Sequence, residues 1–504
     1  MVLYPSIRHG TENQILNRRT GRKQAGSADD AAEYDGSCKK TAVSAAVTGG
    51  DIMGFSKDFV WGAATSSYQI EGAVSEEGKG EHIWDVYVKE PGHIYGGHSG
   101  KTACGHYHRF REDVGIMKAI GLKAYRFSID WSRVMPEGCG LVNEKGIAFY
   151  NALIDELLEH HIEPYITLFH WELPYELYKK GGWMNPQIVE WFGEYAKLAA
   201  ERFSDRVSHF FTLNEPQCFV GLGFLTGEHA PGLVAPLRDT FEMAHNALKA
   251  HGRAVQMLRQ YGKQKLTVGY APTCGMCYPQ TEKPEDVEAA RQMMFAMNPQ
   301  DRNWTWNIAW WSDPVLFGEY PKEGLMRYEP YLPKITDADM KLISEPIDVY
   351  GQNIYNGRCI RMGEDGNPVE VERPEGSPRT ASSWPVTPQA LYWGPKFLYE
   401  RYQKPLFITE NGLSCQDSIS LDGKVHDPAR IDFLARYLHE LKRAADEIDL
   451  RGYFQWSLMD NFEWARGYSE RFGLVYVDYQ TQKRIMKDSA FWYHDVIENN
   501  GAVL

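Results

Sequence analysis

HFFTLNEP at residues 209–216 and PLFITENG at residues 405–412 follow one pattern. Each is a short run of β-branched and aromatic residues that stops at a glutamate, Glu215 in the first and Glu410 in the second. Pro or Asn-Gly follows at once, and these residues end strands. The two carboxylates are therefore expected at two strand ends, and in a parallel α/β architecture the carboxyl ends of the strands are where chemistry is built. Two acids converging there suggest cleavage of a glycosidic bond. That reaction needs one carboxyl to protonate the leaving oxygen and another to meet the positive charge developing at the sugar carbon. Neither string alone decides it.

Working outward, the chain alternates strand and helix. Short apolar runs predict strands at 59–65, 123–129, 163–169, 209–214, 265–271, 347–353, 406–411 and 452–458. Amphipathic stretches at 144–161, 185–203 and 427–448 predict helices between them, the last two opening with Asn-Pro or Asp-Pro as N-cap and first turn. Such alternation predicts a parallel sheet. Strands in this number close most simply as a (β/α)8 barrel, because an open doubly wound sheet would need edge strands and usually a Gly-rich phosphate turn, which is not found. Segments 66–104, 272–312 and 354–385 are far longer than ordinary βα loops and are expected to wall the mouth of the barrel into a pocket. A pocket of that kind suits the tip of a disaccharide or a small glycoside.

The 504 residues fit one large barrel domain, and with 43% hydrophobic and 24% charged residues there is ample material for a core. A net charge of −13 offers no basic face, which argues against nucleic acid and for a neutral small-molecule partner. The eight cysteines lack regular spacing, so free thiols and a reducing, cytoplasmic compartment are expected. The one CxxC, Cys274 to Cys277, lacks a second pair, and no metal site is expected there or at His106–His108. No window approaches the roughly 18 consecutive apolar residues of a membrane span, so no membrane partner is expected. A homo-oligomer is compatible with this composition. Residues 1–52 are rich in small, polar and charged residues and lack an apolar signal core, so they read as an unstructured leader or extension, with the barrel at 53–504.

FVWGAATSSYQIEG, ACGHYHRF, YRFSIDWSR, LFHWELP, TLNEP, ITENG and GYFQWSLMDNFEW occur in this order over roughly residues 55–500. Together they resemble glycoside hydrolase family 1, the retaining β-glucosidases and their relatives. The resemblance implies the (β/α)8 barrel, no cofactor, Glu215 at the end of strand four as acid and base, and Glu410 at the end of strand seven as nucleophile. It implies that Arg126 keeps Glu410 ionised and oriented, that Tyr355 hydrogen-bonds it with Asn353 nearby, and that Asn214 donates to the sugar 2-hydroxyl. Gln69, His170, Glu463 and Trp464 match the family's glycone-binding positions, with Trp456 as the aromatic platform and Trp171 lining the same pocket. Trp384 lies where the family often stacks an aglycone, although ordinary loop packing is an equal reading of it.

For a retaining reaction the two carboxyls should stand roughly 5–5.5 Å apart. The charge of Glu410 should raise the pKa of Glu215, which keeps it protonated until Glu410 is esterified. The implied activity is hydrolysis of terminal β-D-glucosyl residues from cellobiose, short cello-oligosaccharides and small β-glucosides. Glu463 argues for an unphosphorylated glycone and Glu215 for O-glycosides. Galactosidase, fucosidase and transglycosidase activities on the same site stay open, as does a non-catalytic glycan-binding role. Gly105, Asp130, Gln352 and Ile354 depart from the commonest family pattern without removing a catalytic group.

Overall fold

The structure, a computed structural model, describes residues 54–504. The leader expected at 1–52 lies outside the described residues. Eight parallel strands close into a barrel: β1 (Val60–Ala64), β2 (Ala124–Ser128), β3 (Glu163–Phe169), β4 (His209–Asn214), β5 (Thr267–Ala271), β6 (Val349–Asn353), β7 (Leu406–Asn411) and β8 (Leu450–Trp456). They lie around the barrel in chain order, and β1 pairs with β8 from Val60↔Gly452 to Ala64↔Trp456 to shut the ring. Closure leaves the barrel itself without an edge strand.

Aromatic side chains fill the lumen against glycines. A Cβ on Gly62 would stand 2.6 Å from the Phe454 ring and one on Gly269 2.5 Å from Phe211, so only glycine lets those rings lie across the barrel. Phe211, Phe407, Phe454 and Tyr165 form this inner cluster, whereas a larger apolar layer lies between strands and helices. The helix Ile188–Phe203 illustrates the outer layer: Ile188, Phe192, Tyr195, Ala196, Ala199 and Phe203 recur at helical spacing and are buried.

The predicted strands fall where expected to within two residues, those predicted from 265 and 347 beginning at Thr267 and Val349. The last begins at Leu450 rather than 452, because Leu406 N donates to Asp449 O at 2.9 Å and carries the ladder back, and it stops at Trp456, where Ser457 N turns to Phe472 O. Two caps differ from expectation. The helix predicted from 185 starts at Ile188, after a turn in which Asn185 Oδ1 accepts from Gln187 N and Asn185 O from Ile188 N. Asp427 does sit at an N-cap before Pro428, but its carboxylate accepts from Arg430 and Ser489 instead of the helix N–H groups. The long segments are not bare loops: Met276–Pro279, Gly357–Met362 and Pro368–Glu370 make a separate three-stranded sheet.

Candidate active site

Glu215 and Glu410 stand at the carboxyl ends of β4 and β7, 7% and 3% exposed. Glu215 follows Asn214 directly and takes a left-handed backbone (φ 45°, ψ 64°). Pro216 then opens a short helix, Pro216–Val220, which turns the chain away sharply. Trp171 (φ 93°) and Trp464 (φ 46°) are also left-handed without being glycine. Three such residues in one cleft mark a site held in conformations that local preference opposes.

Arg126, on β2, sets the direction of the hydrogen bonds between the two carboxyls. Its Nη1 donates to Glu410 Oε1 at 2.8 Å, its Nη2 to Asn214 Oδ1 at 2.6 Å and its Nε to Thr167 Oγ1 at 3.0 Å. A guanidinium only donates, so Asn214 must turn its oxygen to Arg126 and its amide nitrogen to His170 Nε2, 3.2 Å away. Asn353 then donates to the same Asn214 oxygen at 3.1 Å and to Glu215 Oε1 at 2.7 Å. Thr409 Oγ1 donates to Asn353 Oδ1 at 2.6 Å and completes the row. Tyr355 reaches Glu410 from the other side, its hydroxyl donating to Oε2 at 2.7 Å.

The two acids consequently differ. Burial drives the Glu215 carboxyl up to about 7, and the charge of Glu410 adds to the rise. The sequence pointed to repulsion by Glu410 as the cause; desolvation is the larger one, because the carboxyl is closed off from water at the barrel mouth. Burial also pushes Glu410 up, but the Arg126 charge and the bonds from Arg126 and Tyr355 pull it back. Of one proton shared by the pair, Glu215 is the holder, since Glu410 alone has a cation on it.

The expected sugar-binding residues gather around these carboxyls. His170 lies parallel to Trp456, ring centroids 5.6 Å apart, and burial holds its imidazole neutral, well below its usual pKa. Trp171 packs on Trp464 at 4.6 Å and donates its indole N–H to Asn214 O at 3.0 Å. Gln69 is more committed than the sequence suggested. Its Nε2 faces Asn461 Oδ1 and Phe462 O, both at 3.0 Å, and Glu463 Oε2 at 3.4 Å, while Ser66 donates to its Oε1. Glu463 is half-buried, and desolvation together with the charge of Glu470 raises it well above the usual carboxylate range. Trp384 stands apart, packed on Tyr355 at 5.2 Å and Phe472 at 6.1 Å.

Several residues of this cleft were not read from the sequence. Cys218 Sγ lies 3.0 Å from Glu215 Oε2, and its spacing of three residues within a helical turn was the available signal. Glu470 accepts from Ser382 and faces Glu463, and His229 packs on Trp84 and Trp171; Ser382, Trp84 and Trp171 lie far from their partners in sequence and leave no local signature. Of the departures, Asp130 accepts a buried ion pair from Lys79 and bonds Ser132, and Gly105 takes a left-handed backbone (φ 61°). Gln352 is buried with neither amide atom paired among the described residues, and the structure gives no reason for it. His106 bonds Asp113, and Cys274 and Cys277 are buried with thiols pushed up by desolvation. Among the described residues no cluster of three or more His, Cys, Asp or Glu could hold a metal, and no helix is long and apolar enough to cross a membrane.

Comparison with known proteins agrees with the barrel fold. The model of glycosyl hydrolase family 1 matches residues 52–502. A 1,4-beta-D-glucan glucohydrolase of Thermotoga neapolitana is 45% identical over 450 residues, covering 89% of this chain and 99% of the relative. Beta-glucosidase A of Thermotoga maritima is 44% identical over 454 residues, covering 90% and 99%. The structure of a beta-glucosidase from Thermotoga maritima in complex with glucoimidazole superposes with a TM-score of 0.81 at 44% identity, covering 89% of this chain and 99% of that one. The chain belongs to glycosyl hydrolase family 1.

Proposed function

We propose that this family 1 glycoside hydrolase is a retaining β-glucosidase that removes terminal β-D-glucosyl residues from cellobiose, short cello-oligosaccharides and small β-glucosides. The observation that carries the reading is the inequality of the two carboxyls: Glu410 is paired to Arg126, while Glu215 has an amide and a thiol beside it and no cation. A paired, ionised carboxylate is a nucleophile, and a buried, protonated one is a general acid.

In the first half-reaction Glu410 attacks the anomeric carbon as Glu215 protonates the departing oxygen, leaving a glycosyl ester on Glu410. Esterification removes the negative charge that helps to raise Glu215, so its pKa falls and it turns into the base that activates water. Configuration is retained by two inversions. Asn214, held by Arg126, is oriented for the 2-hydroxyl. Gln69, His170 and Glu463 supply polar contacts to the glycone, with Trp456, Trp464 and Trp171 as its apolar walls and Trp384 toward the aglycone. Glu463 stands beside Gln69 as a carboxyl, where a 6-phosphate would need a cationic partner, so an unphosphorylated glycone fits this site better. Residues 1–52 read as a leader or extension, and the free thiols among the described residues suit a reducing compartment.

Hydrolysis rates on aryl β-D-glucoside, β-D-galactoside, β-D-fucoside and 6-phospho-β-D-glucoside, with cellobiose as natural acceptor-linked substrate, test the assignment. Highest kcat/KM on the glucoside and no turnover of the phosphorylated sugar supports it. Preference for another glycone corrects the specificity, and binding without turnover overturns the enzyme reading.

A further inference from the structure

We propose that Cys218 is a positioning residue for the acid proton of Glu215, its thiol stabilising the ionised carboxylate and thereby setting the alkaline limit of catalysis. The inference rests on the reading of Glu215 as general acid. Cys218 Sγ stands 3.0 Å from Glu215 Oε2 and is 6% exposed. The contact is built into the backbone: Cys218 N donates to Glu215 O at 2.9 Å, so the turn that makes Glu215 left-handed brings the sulfur under its carboxyl.

The other carboxyl oxygen is already assigned. Glu215 Oε1 accepts from Asn353 Nδ2, and that amide cannot be reversed, because its nitrogen also faces the Asn214 oxygen that Arg126 fixes. A proton on Glu215 must therefore sit on Oε2, the oxygen beside the sulfur. Burial and the neighbouring Glu215 keep the thiol well above its usual pKa, so it is an S–H donor throughout the working range. Toward a carboxylate it donates; toward the protonated acid it can offer only the weak acceptor capacity of sulfur. The thiol thus favours the ionised form of Glu215, opposing the burial that holds the proton on.

The groups facing Glu215 from other elements are Glu410 on β7, Arg126 on β2, Asn353 on β6 and, further off, Tyr355 and Glu463. None of them bonds Oε2 among the described residues, so substitution at 218 reads out that one contact.

The test is the pH dependence of kcat/KM on phenyl β-D-glucoside for wild type, Cys218→Val, Cys218→Ala, Cys218→Ser and Glu215→Gln. With the donor gone, Val and Ala move the alkaline limb upward by about half a pH unit or more. Ser, which keeps an O–H donor, stays at or below the wild-type position. The two apolar variants differ in bulk, so a shift shared by both is not a packing effect, and Tm is followed in each. A packing role alone would lower Tm or kcat and leave the limb in place, which overturns the proposal. Glu215→Gln separates the two claims: if its residual activity keeps the alkaline limb, Glu215 is not the titrating acid and both readings fall. If that limb is absent in Glu215→Gln while the Val and Ala limbs superimpose on wild type, the role of Cys218 alone fails.

Discussion

Arg126 and Glu410 meet as a buried ion pair, Nη1 to Oε1 at 2.8 Å, with side chains 1% and 4% exposed. Removing both charges from water costs several kcal/mol per ion, which is recovered only where remaining donors and acceptors are satisfied. Here they are: the guanidinium also reaches Thr167, Thr409 O and Asn214, and the carboxylate also accepts from Tyr355. One cation therefore favours the ionised form of Glu410 and, through Asn214 and Asn353, orients the amide on Glu215.

Arg126→Lys keeps the charge but cannot donate in a plane to Glu410 and Asn214 together. Loss of one charge-assisted hydrogen bond is worth about 1.5–3 kcal/mol, so kcat/KM on aryl β-glucoside is expected to fall about 10–100-fold. Arg126→Gln should go further and move the acid limb of kcat/KM upward, because the cation that holds Glu410 down is gone. An acid limb unchanged in Gln would detach Arg126 from the nucleophile.

The free enzyme should lose kcat/KM as pH rises through about 7, where Glu215 gives up its proton. In Glu410→Gln the neighbouring charge is absent but the burial, the larger cause, remains. The pKa of Glu215, read by carbon-13 NMR of labelled glutamate, is expected to fall and still stay above the ordinary value near 4.5. A return to that ordinary value would make repulsion, not desolvation, the main cause.

Glu172, next to His170 and Trp171 in the chain, is buried, its Oε1 accepting from Ser67 Oγ and Tyr68 N and its Oε2 unpaired among the described residues. Burial, with the charge of Asp130, lifts it from the ordinary 4.5 to about 8. A carboxyl raised on folding gives stability that is complete below the unfolded value and is lost as pH rises through the folded one. Glu172→Gln, neutral at every pH, should therefore gain Tm over wild type between about 4.5 and about 8, with the gain level above that. A Tm difference independent of pH would mean that Glu172 does not titrate in this window.

Asp130 is held at about 2: burial opposes its charge, but Lys79, His82 and Arg133 outweigh it. Lys79, 1% exposed, bonds Asp85 at 2.9 Å and stands 3.4 Å from Asp130. Breaking a buried pair from one side costs roughly 3–5 kcal/mol, so Lys79→Met should lower the denaturant midpoint markedly. Asp130→Ser should cost less, because Lys79 retains Asp85.

The sequence exposes the barrel because most of the strands are short runs dominated by β-branched and aromatic residues, as in EPYITLF and LFITEN, and closure follows from burying both faces. The small sheet at Met276–Pro279 was hidden: MCYP carries neither alternation nor β-branched residues, and only pairing with Gly357–Met362 makes it a strand. In the site, motifs at strand ends pointed to Glu215 and Glu410, and a motif inside β2 pointed to Arg126, which the structure brings to Glu410. Gln69 was legible as a position but not in its bonding, which depends on Asn461 and Glu463 nearly four hundred residues away. The cause of the Glu215 shift was also out of reach, since burial depth is a property of the assembled cleft.

The central claim is that Glu410 becomes covalently bound to the sugar, and it is tested most directly by Glu410→Gly assayed on 2,4-dinitrophenyl β-D-glucoside with and without azide. The account predicts loss of turnover, rescue by azide, and α-D-glucosyl azide as the product identified by NMR. The β-anomer of the azide, or turnover in the variant near the wild-type rate without azide, would contradict it.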